Sequence, residues 1–198
     1  GMLALSLRMR QRPPLVSAAP ASASAPVFDR ARPFGLSPAH AQSLLCVGLD
    51  PEPQRLPEPW RGDASRLFDF CAAIVDATKD LVCAFKPQIA YFAARRAEGQ
   101  LEALIAHIHD KHPGIPVILD AKRGDIGTTA EGYAEGYLGA GASAPCDAIT
   151  VNPYMGLDTL EPFVSVAERD GKGVVVLVRT SNPGSKDYQA QLIDGEPL

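Results

Sequence analysis

The chain has 198 residues, of which 46% are hydrophobic and 21% are charged, which is usual for a globular domain with one core. Its net charge is -4 with no basic cluster, which speaks against nucleic-acid binding, and no apolar run approaches the roughly 20 residues of a membrane-spanning helix. The four cysteines are too scattered for a zinc site or a disulfide framework, so we expect a reduced, cytoplasmic protein.

The first 43 residues differ in composition from the rest of the chain. Residues 18–26 contain only Ala, Ser and Pro, a composition that cannot bury enough apolar surface to offset the entropy lost on ordering. Arginines without any acid before Asp29 give this part a faint similarity to a transit peptide. We predict a partly disordered leader over residues 1–43 and a single β/α domain over residues 44–198.

From Leu44 onward, apolar strands alternate with helical patterns. Strands are predicted at residues 44–49, 81–85, 117–119, 147–151 and 174–178. Helices are predicted at residues 65–79, 89–96, 101–109, 129–138 and 157–168. This alternation indicates right-handed βαβ units and a parallel sheet, and no glycine-rich dinucleotide fingerprint follows the first strand.

Polar side chains close every predicted strand. They are Asp50, Lys86, Asp120 with Lys122, Asn152 and the segment 179–181. This pattern is typical of a (β/α)₈ barrel of the TIM type, whose active site is assembled from several strand ends. A full barrel has eight strands and roughly 250 residues. We therefore expect about five β/α units of a larger barrel here, with the chain ending in the loop after the fifth strand.

The most informative stretch is the third predicted strand and the charged residues after it. Asp120 and Lys122 are two residues apart, so on a regular strand they share one face. Asp125 follows directly, which gives two acids and a base beyond one buried strand. Such a cluster is either a catalytic group or a solvated set of ion pairs, and the spacing alone does not decide between them.

Residues 120–126, Asp-Ala-Lys-Arg-Gly-Asp-Ile, resemble the D-x-K-x-x-D signature of the orotidine 5′-monophosphate decarboxylase family. Three further motifs agree in order: residues 48–51 resemble the first-strand Asp, residues 85–87 the second-strand Lys, and residues 180–184 the loop that contacts the pyrimidine. The resemblance extends over residues 44–185. Within the family, the sequence is most similar in kind to the bacterial branch, which has longer loops. Sugar-phosphate barrels such as hexulose-phosphate synthase share the D-x-K-x-x-D signature.

The resemblance implies the loss of carbon dioxide from orotidine monophosphate, giving uridine monophosphate without a cofactor or a metal. Four residues would form the alternating catalytic tetrad of the family: Lys86, Asp120, Lys122 and Asp125. In the family the second Asp enters the site from the partner subunit. The resemblance therefore implies a homodimer with shared active sites.

The resemblance also implies the contacts to a nucleotide substrate. Asp50 and Lys86 would hold ribose hydroxyls, and Ser181 would recognise the pyrimidine amide. Ile126 and Thr129 match positions that the partner subunit contributes near the base and the ribose. Two alternatives remain: a sugar-phosphate aldolase or synthase on the same barrel that uses a divalent metal, and a non-catalytic remnant that only binds or dimerises.

Three histidines lie close together at 107, 109 and 112, but we predict no metal site from them. Only His109 and His112 would share a helical face, and His112 precedes a proline. No acid or cysteine cluster joins them in the sequence, so they are interpreted as surface histidines.

Overall fold

The computed structural model describes residues 43–197, so the predicted leader lies outside the described residues except at its last position. Within the described part, residues 43–177 and 178–197 belong to two separate compact units. The larger unit carries the alternating strands and helices. The boundaries predicted for the leader and the barrel domain stay predictions.

The larger unit contains five parallel strands, in agreement with the sequence pattern. They are β1 (Cys46–Leu49), β2 (Ala84–Pro87), β3 (Ile118–Arg123), β4 (Ala148–Val151) and β5 (Gly173–Val176). β1 pairs with β2, and β3, β4 and β5 pair in sequence order. Isolated parallel bridges, Phe85 to Val117 and Gln88 to Asp120, connect β2 to β3. The strands therefore follow one another in chain order, as in a β/α barrel.

Helices separate the strands, and most of the predicted helices are confirmed. They are α1 (Leu67–Thr78), α2 (Ile89–Ala93), α3 (Glu98–Lys111), α4 (Gly127–Tyr137) and α5 (Glu161–Asp170), with short 3₁₀ turns at Pro53–Arg55, Ala64–Arg66 and Leu157–Thr159. The helix predicted at 157–168 is divided, because a 3₁₀ turn precedes α5, which has Pro162 in its first turn. α5 ends at Asp170 and is followed by the cap residue Gly171, which adopts a left-handed φ of 68°.

Two predicted strands begin too early. The first is predicted from Leu44, whereas β1 starts at Cys46. For the second, the pattern predicts residues 81–85, whereas β2 starts at Ala84 and runs to Pro87. The amide of Leu81 donates instead to the carbonyl of Thr78 in a turn, and its side chain is 60% exposed. The apolar residues before Ala84 therefore belong partly to the connection after α1, and Lys86 lies inside the strand rather than after it.

The core forms because α1 and α3 each present an apolar stripe to the strands. Leu67, Cys71 and Val75 recur every four residues on α1 and are fully buried. On α3 the buried positions are Leu101, Leu104, Ile105 and Ile108. They belong to one apolar cluster with the strand residues Phe85, Val117 and Ile149. This packing fixes the frame on which the charged residues of β2 and β3 are held.

Asp147 joins three elements just before β4. Its Oδ2 accepts a hydrogen bond from the amide of Val117 at 2.8 Å and lies 2.8 Å from Nε2 of His109, while Oδ1 accepts from Nζ of Lys172 at 3.1 Å. Burial by itself would raise the pKa of Asp147, but the hydrogen bonds from His109 and Val117 outweigh it and lower the pKa to about 2. The carboxylate is therefore ionised, and both of its oxygens have hydrogen-bond partners, at the point where β3 begins.

The histidines are not arranged as the sequence predicted. His107 and His112, rather than His109 and His112, come together, and an acid from another helix, Asp76 of α1, lies between them. His109 faces Asp147 instead. The difference arises because His112 is the first residue beyond α3, with φ −133° and ψ 57°, so helical spacing no longer applies to it.

The smaller unit is short and contains a helix and a hairpin. These are α6 (Ser185–Tyr188), β6 (Leu192–Ile193) and β7 (Glu196–Pro197), the last two antiparallel. Asp194 and Gly195 form the hairpin turn with positive φ values of 54° and 85°, as an Asp-Gly turn of this kind requires. Across residues 43–197, no helix combines the length and the apolar character needed to cross a membrane.

Candidate active site

Three neighbouring strands bring one carboxylate and two ammonium groups together. Nζ of Lys86 on β2 donates to Oδ2 of Asp120 on β3 at 2.9 Å, and Nζ of Lys122 donates to Oδ1 of the same carboxylate at 2.5 Å. The hydroxyl of Thr150 on β4 donates to Oδ1 at 3.0 Å. The structure thus brings together three of the four predicted catalytic residues, and the two side chains predicted to share a face do meet.

The electrostatic environment keeps Asp120 ionised although it is buried. Its side chain is 7% exposed, and burial by itself would raise the pKa of the carboxyl group. Hydrogen bonds from Lys122 and Lys86, the charge of Lys86 and the hydrogen bond from Thr150 together outweigh burial, so the pKa of Asp120 is lowered. The side chain of Lys122 is 42% exposed, so this ammonium group is the member of the cluster that a ligand can reach.

The backbone at Lys122 departs from regular strand geometry. Leu119 pairs with Ile149 and Arg123 with Val151, so four positions along β3 span two along β4. Within this bulge Lys122 has a positive φ of 48°, a conformation that costs a non-glycine residue about 1–3 kcal/mol. The hydroxyl oxygen of Thr150 accepts hydrogen bonds from the amides of Ala121 at 3.0 Å and Lys122 at 2.9 Å. These bonds hold the bulge that directs Lys122.

The sequence profile of the orotidine 5′-phosphate decarboxylase / HUMPS family matches residues 43–197. The chain belongs to this family. Over 156 residues it is 64% identical to the orotidine 5′-phosphate decarboxylase of Dechloromonas aromatica and 63% identical to that of Azoarcus sp.. Each alignment covers 79% of this chain and 56% of the relative, so the chain spans little more than half the length of these relatives.

Solved structures of the family agree with this assignment. Leishmania donovani OMP decarboxylase is similar with a TM-score of 0.63 and 38% identity, covering 79% of this chain and 56% of that protein. Orotidine 5′-monophosphate decarboxylase from Methanocaldococcus jannaschii, solved in complex with the inhibitor BMP, is similar with a TM-score of 0.53 and 26% identity, covering 73% of this chain and 56% of that protein. The predicted TIM-type fold is confirmed, and the described strands form part of such a barrel.

Asp125, the fourth predicted catalytic residue, is not among the described groups that hydrogen-bond to Asp120. Asp125 follows β3, and its Oδ1 accepts a hydrogen bond from the amide of Ile126 at 2.8 Å. Within residues 43–197 no ion pair joins Asp125 to Lys86 or Lys122. Ile126 is 63% exposed, and Thr129, in the first turn of α4, is exposed as well. Asp125 itself is half-buried, so of these three residues Ile126 and Thr129 are the ones exposed to solvent.

Asp50 and Ser181 are the two other residues predicted to contact the substrate. Asp50 is exposed and follows β1, whose Gly48 is the register partner of Lys86 on β2, so it lies near the same end of the sheet. Ser181 is exposed in the smaller unit. Their roles toward a substrate stay predictions.

Thr150 is the site residue that the sequence analysis missed. It is fully buried, lies in the otherwise apolar strand Ala-Ile-Thr-Val, and contacts both Asp120 and the backbone of the bulge. A signal was available, because a threonine in the middle of an apolar strand that is buried throughout needs a hydrogen-bond partner. The partner was not identifiable from spacing, since it lies on another strand.

Proposed function

We propose that the protein containing this chain converts orotidine 5′-monophosphate to uridine 5′-monophosphate and carbon dioxide. The observation that carries the proposal is the buried carboxylate of Asp120 held between Lys86 and Lys122. Membership of the family supports the same activity, since the relatives at 64% and 63% identity are named orotidine 5′-phosphate decarboxylase. Those names do not favour the sugar-phosphate alternative.

The proposed reaction needs a cation beside the reacting carbon. The bond between the pyrimidine ring and its carboxylate breaks, carbon dioxide leaves, and the electron pair stays on the ring carbon. Lys122 is proposed to stabilise this developing charge and then to donate its proton to the carbon. Asp120 would face the substrate carboxylate, and Lys86 would hold Asp120 in place while contacting a ribose hydroxyl.

Repulsion between Asp120 and the substrate carboxylate is too weak to account for catalysis by itself. Two unit charges about 4 Å apart interact by about 4 kcal/mol at an effective dielectric constant near 20. Enzymes of slow reactions lower barriers by up to about 23 kcal/mol. Stabilisation of the transition state by Lys122 must therefore contribute more, and binding of the remote phosphate group would supply much of the remainder.

We further propose that the active site is shared between two subunits of a homodimer. Asp125 has no ion pair with the lysines of its own chain within the described residues, which leaves it available to the neighbouring site. Large apolar side chains are exposed after β3 and β4: Ile126, Tyr154, Met155 and Leu157. Exposed apolar residues grouped in this way are typical of a subunit interface. Asp125, Ile126 and Thr129 would then complete the partner's site.

The remaining substrate contacts are proposed from position. Asp50 would bind a ribose hydroxyl, because it follows the strand that pairs with that of Lys86. Ser181 would hydrogen-bond to the pyrimidine amide through its hydroxyl group. No cofactor or metal takes part in the proposed steps.

One experiment separates the proposal from the sugar-phosphate alternative. The intact protein is incubated with orotidine monophosphate labelled at its carboxylate carbon, in the presence of EDTA, and released carbon dioxide and uridine monophosphate are measured. We expect both products in equal amounts and at an undiminished rate. Conversion of a hexulose phosphate that needs a divalent metal, without any formation of uridine monophosphate, would favour the alternative instead.

A further inference from the structure

A second group of polar side chains lies between α1 and α3, away from the cluster described above. Asp76 is in the last turn of α1, His107 lies one turn before the end of α3, and His112 comes directly after α3. Nε2 of His107 lies 2.9 Å and Nε2 of His112 lies 2.7 Å from the same Oδ1 of Asp76. The three atoms all lie within 4.8 Å of one another.

This group is at the opposite end of the strands from Asp120. α1 and α3 lead into β2 and β3, so their carboxyl ends lie beside the amino ends of those strands. Lys86 and Lys122, in contrast, lie in the second halves of β2 and β3. The proposed decarboxylation therefore uses none of the three residues, and the inference does not depend on it.

From this geometry we propose that Asp76, His107 and His112 form a binding site for a transition-metal ion of the Zn²⁺ class. Two imidazole nitrogens and one carboxylate oxygen are a donor set that zinc accepts, with water in the remaining position. Ligands at normal zinc distances in a tetrahedron are about 3.3 Å apart. The distances from Oδ1 of Asp76 to Nε2 of His107 and of His112 would thus have to lengthen by only about half an ångström.

The surroundings favour a site with ordered rings and an open position. The side chains of His107 and His112 are 19% and 11% exposed, and their rings meet edge to face at 5.7 Å. Phe68 packs edge to face against His107 at 5.8 Å, which restrains that ring further. Asp76 is 53% exposed, so its carboxylate can shift and water can reach the ion.

The protonation states are compatible with metal binding. Hydrogen bonds from His112 and His107 lower the pKa of Asp76, so this carboxylate is ionised. An ionised carboxylate only accepts, so each Nε2 carries a proton in this arrangement. A metal ion at Nε2 requires the neutral form of each ring with its proton on Nδ1. Lys79 and Lys111 line a hollow beside His112, but their long side chains can point their ammonium groups away.

The role of such an ion would be structural. It would link the end of α1 to the end of α3, two helices whose apolar stripes already pack in one core. Because the ion binds the folded arrangement of the two helices, it would raise the unfolding temperature. Occupancy should leave the geometry of Asp120 and its two lysines unchanged.

The test is a zinc titration of the intact protein after removal of bound metals with a chelator. We expect one Zn²⁺ per chain at this site and a higher unfolding temperature with zinc than without. Asp76→Asn, His107→Gln and His112→Gln should each weaken binding at least tenfold and abolish the zinc-dependent rise, because each removes a ligand. Asp110→Asn is the matched control: it removes an exposed carboxylate from α3 outside the group and should bind zinc like the wild type.

Cobalt substitution gives an independent readout, since nitrogen and oxygen ligands produce no thiolate charge-transfer band. A folded Asp76→Asn or His112→Gln variant that binds zinc as tightly as the wild type would overturn the proposal. So would a wild-type chain that binds no zinc, or a thiolate band that assigns the ion to the cysteines. Circular dichroism establishes which variants are folded, and any one folded ligand variant is sufficient for the comparison.

Discussion

Replacing Thr150 by valine tests the hydrogen bonds that support Lys122. The hydroxyl donates to Asp120 and accepts from the amides of Ala121 and Lys122. Valine has nearly the same shape but cannot hydrogen-bond, so two backbone amides lose their acceptor. An unsatisfied buried donor costs about 1–3 kcal/mol. We therefore expect Thr150→Val to lower the free energy of unfolding by about 2–4 kcal/mol.

The same substitution should reduce turnover, because Lys122 has a positive φ and those bonds hold it there. A misplacement of about 1 Å can cost on the order of 10²-fold in rate. The assays are urea unfolding and decarboxylation of orotidine monophosphate by the intact protein. Thr150→Ser is the matched control: it keeps the hydroxyl, loses one methyl group worth about 1 kcal/mol, and should keep most of the activity. A valine variant that loses less than about 1 kcal/mol and no activity would refute this reasoning.

Three further predictions concern other parts of the fold. Mixing inactive Lys122→Ala subunits with inactive Asp125→Ala subunits should restore activity, because one active site of each hybrid dimer keeps all its native groups. No recovery after demonstrated subunit exchange would contradict a shared site. Asp147 has a folded-state pKa of about 2, below its ordinary 3.8, so it contributes about 2 kcal/mol of stability above pH 4 that is lost as the pH falls toward 2. Urea unfolding at several pH values should show that Asp147→Asn loses less free energy of unfolding between pH 4 and pH 2 than the wild type does. Finally, Gly124→Ala should destabilise the protein by about 1–3 kcal/mol, because a Cβ there would lie 3.1 Å from the carbonyl oxygen of Asn152. The control Gly132→Ala lies in open space on α4 and should stabilise the protein by about 0.5–1 kcal/mol. Equal melting temperatures for the two variants would contradict this prediction.

Much of the fold could be predicted because apolar periodicity reports directly on burial. The strands and the helices between them were found, since Leu67, Phe70, Ile74 and Val75 repeat with the helical period, and all four pack in or against the core. Strand and helix ends were less accurate. The turn at Leu81 and the division of the helix before Glu161 depend on local hydrogen bonds that periodicity does not encode.

The candidate site was predicted in composition but not in detail. Asp120 and Lys122 were identified from their spacing and from a family resemblance, yet regular alternation does not describe β3, because a bulge separates Leu119 from Arg123. Thr150 and Asp76 could not be assigned, since each acts on residues of another element that only the folded chain brings close.

The most direct test of the proposed function is the effect of Lys122→Ala on carbon dioxide release from orotidine monophosphate by the intact protein. Lys79→Ala, which removes a surface ammonium group in contact with Asp80, is the control. A proton donor in the transition state contributes typically 10²–10⁴-fold, and charge stabilisation adds to it. We predict that Lys122→Ala keeps its fold but less than about a hundredth of the wild-type rate, while the control keeps full activity. A folded Lys122→Ala variant that retains more than this fraction would contradict the assignment of Lys122 as the catalytic cation.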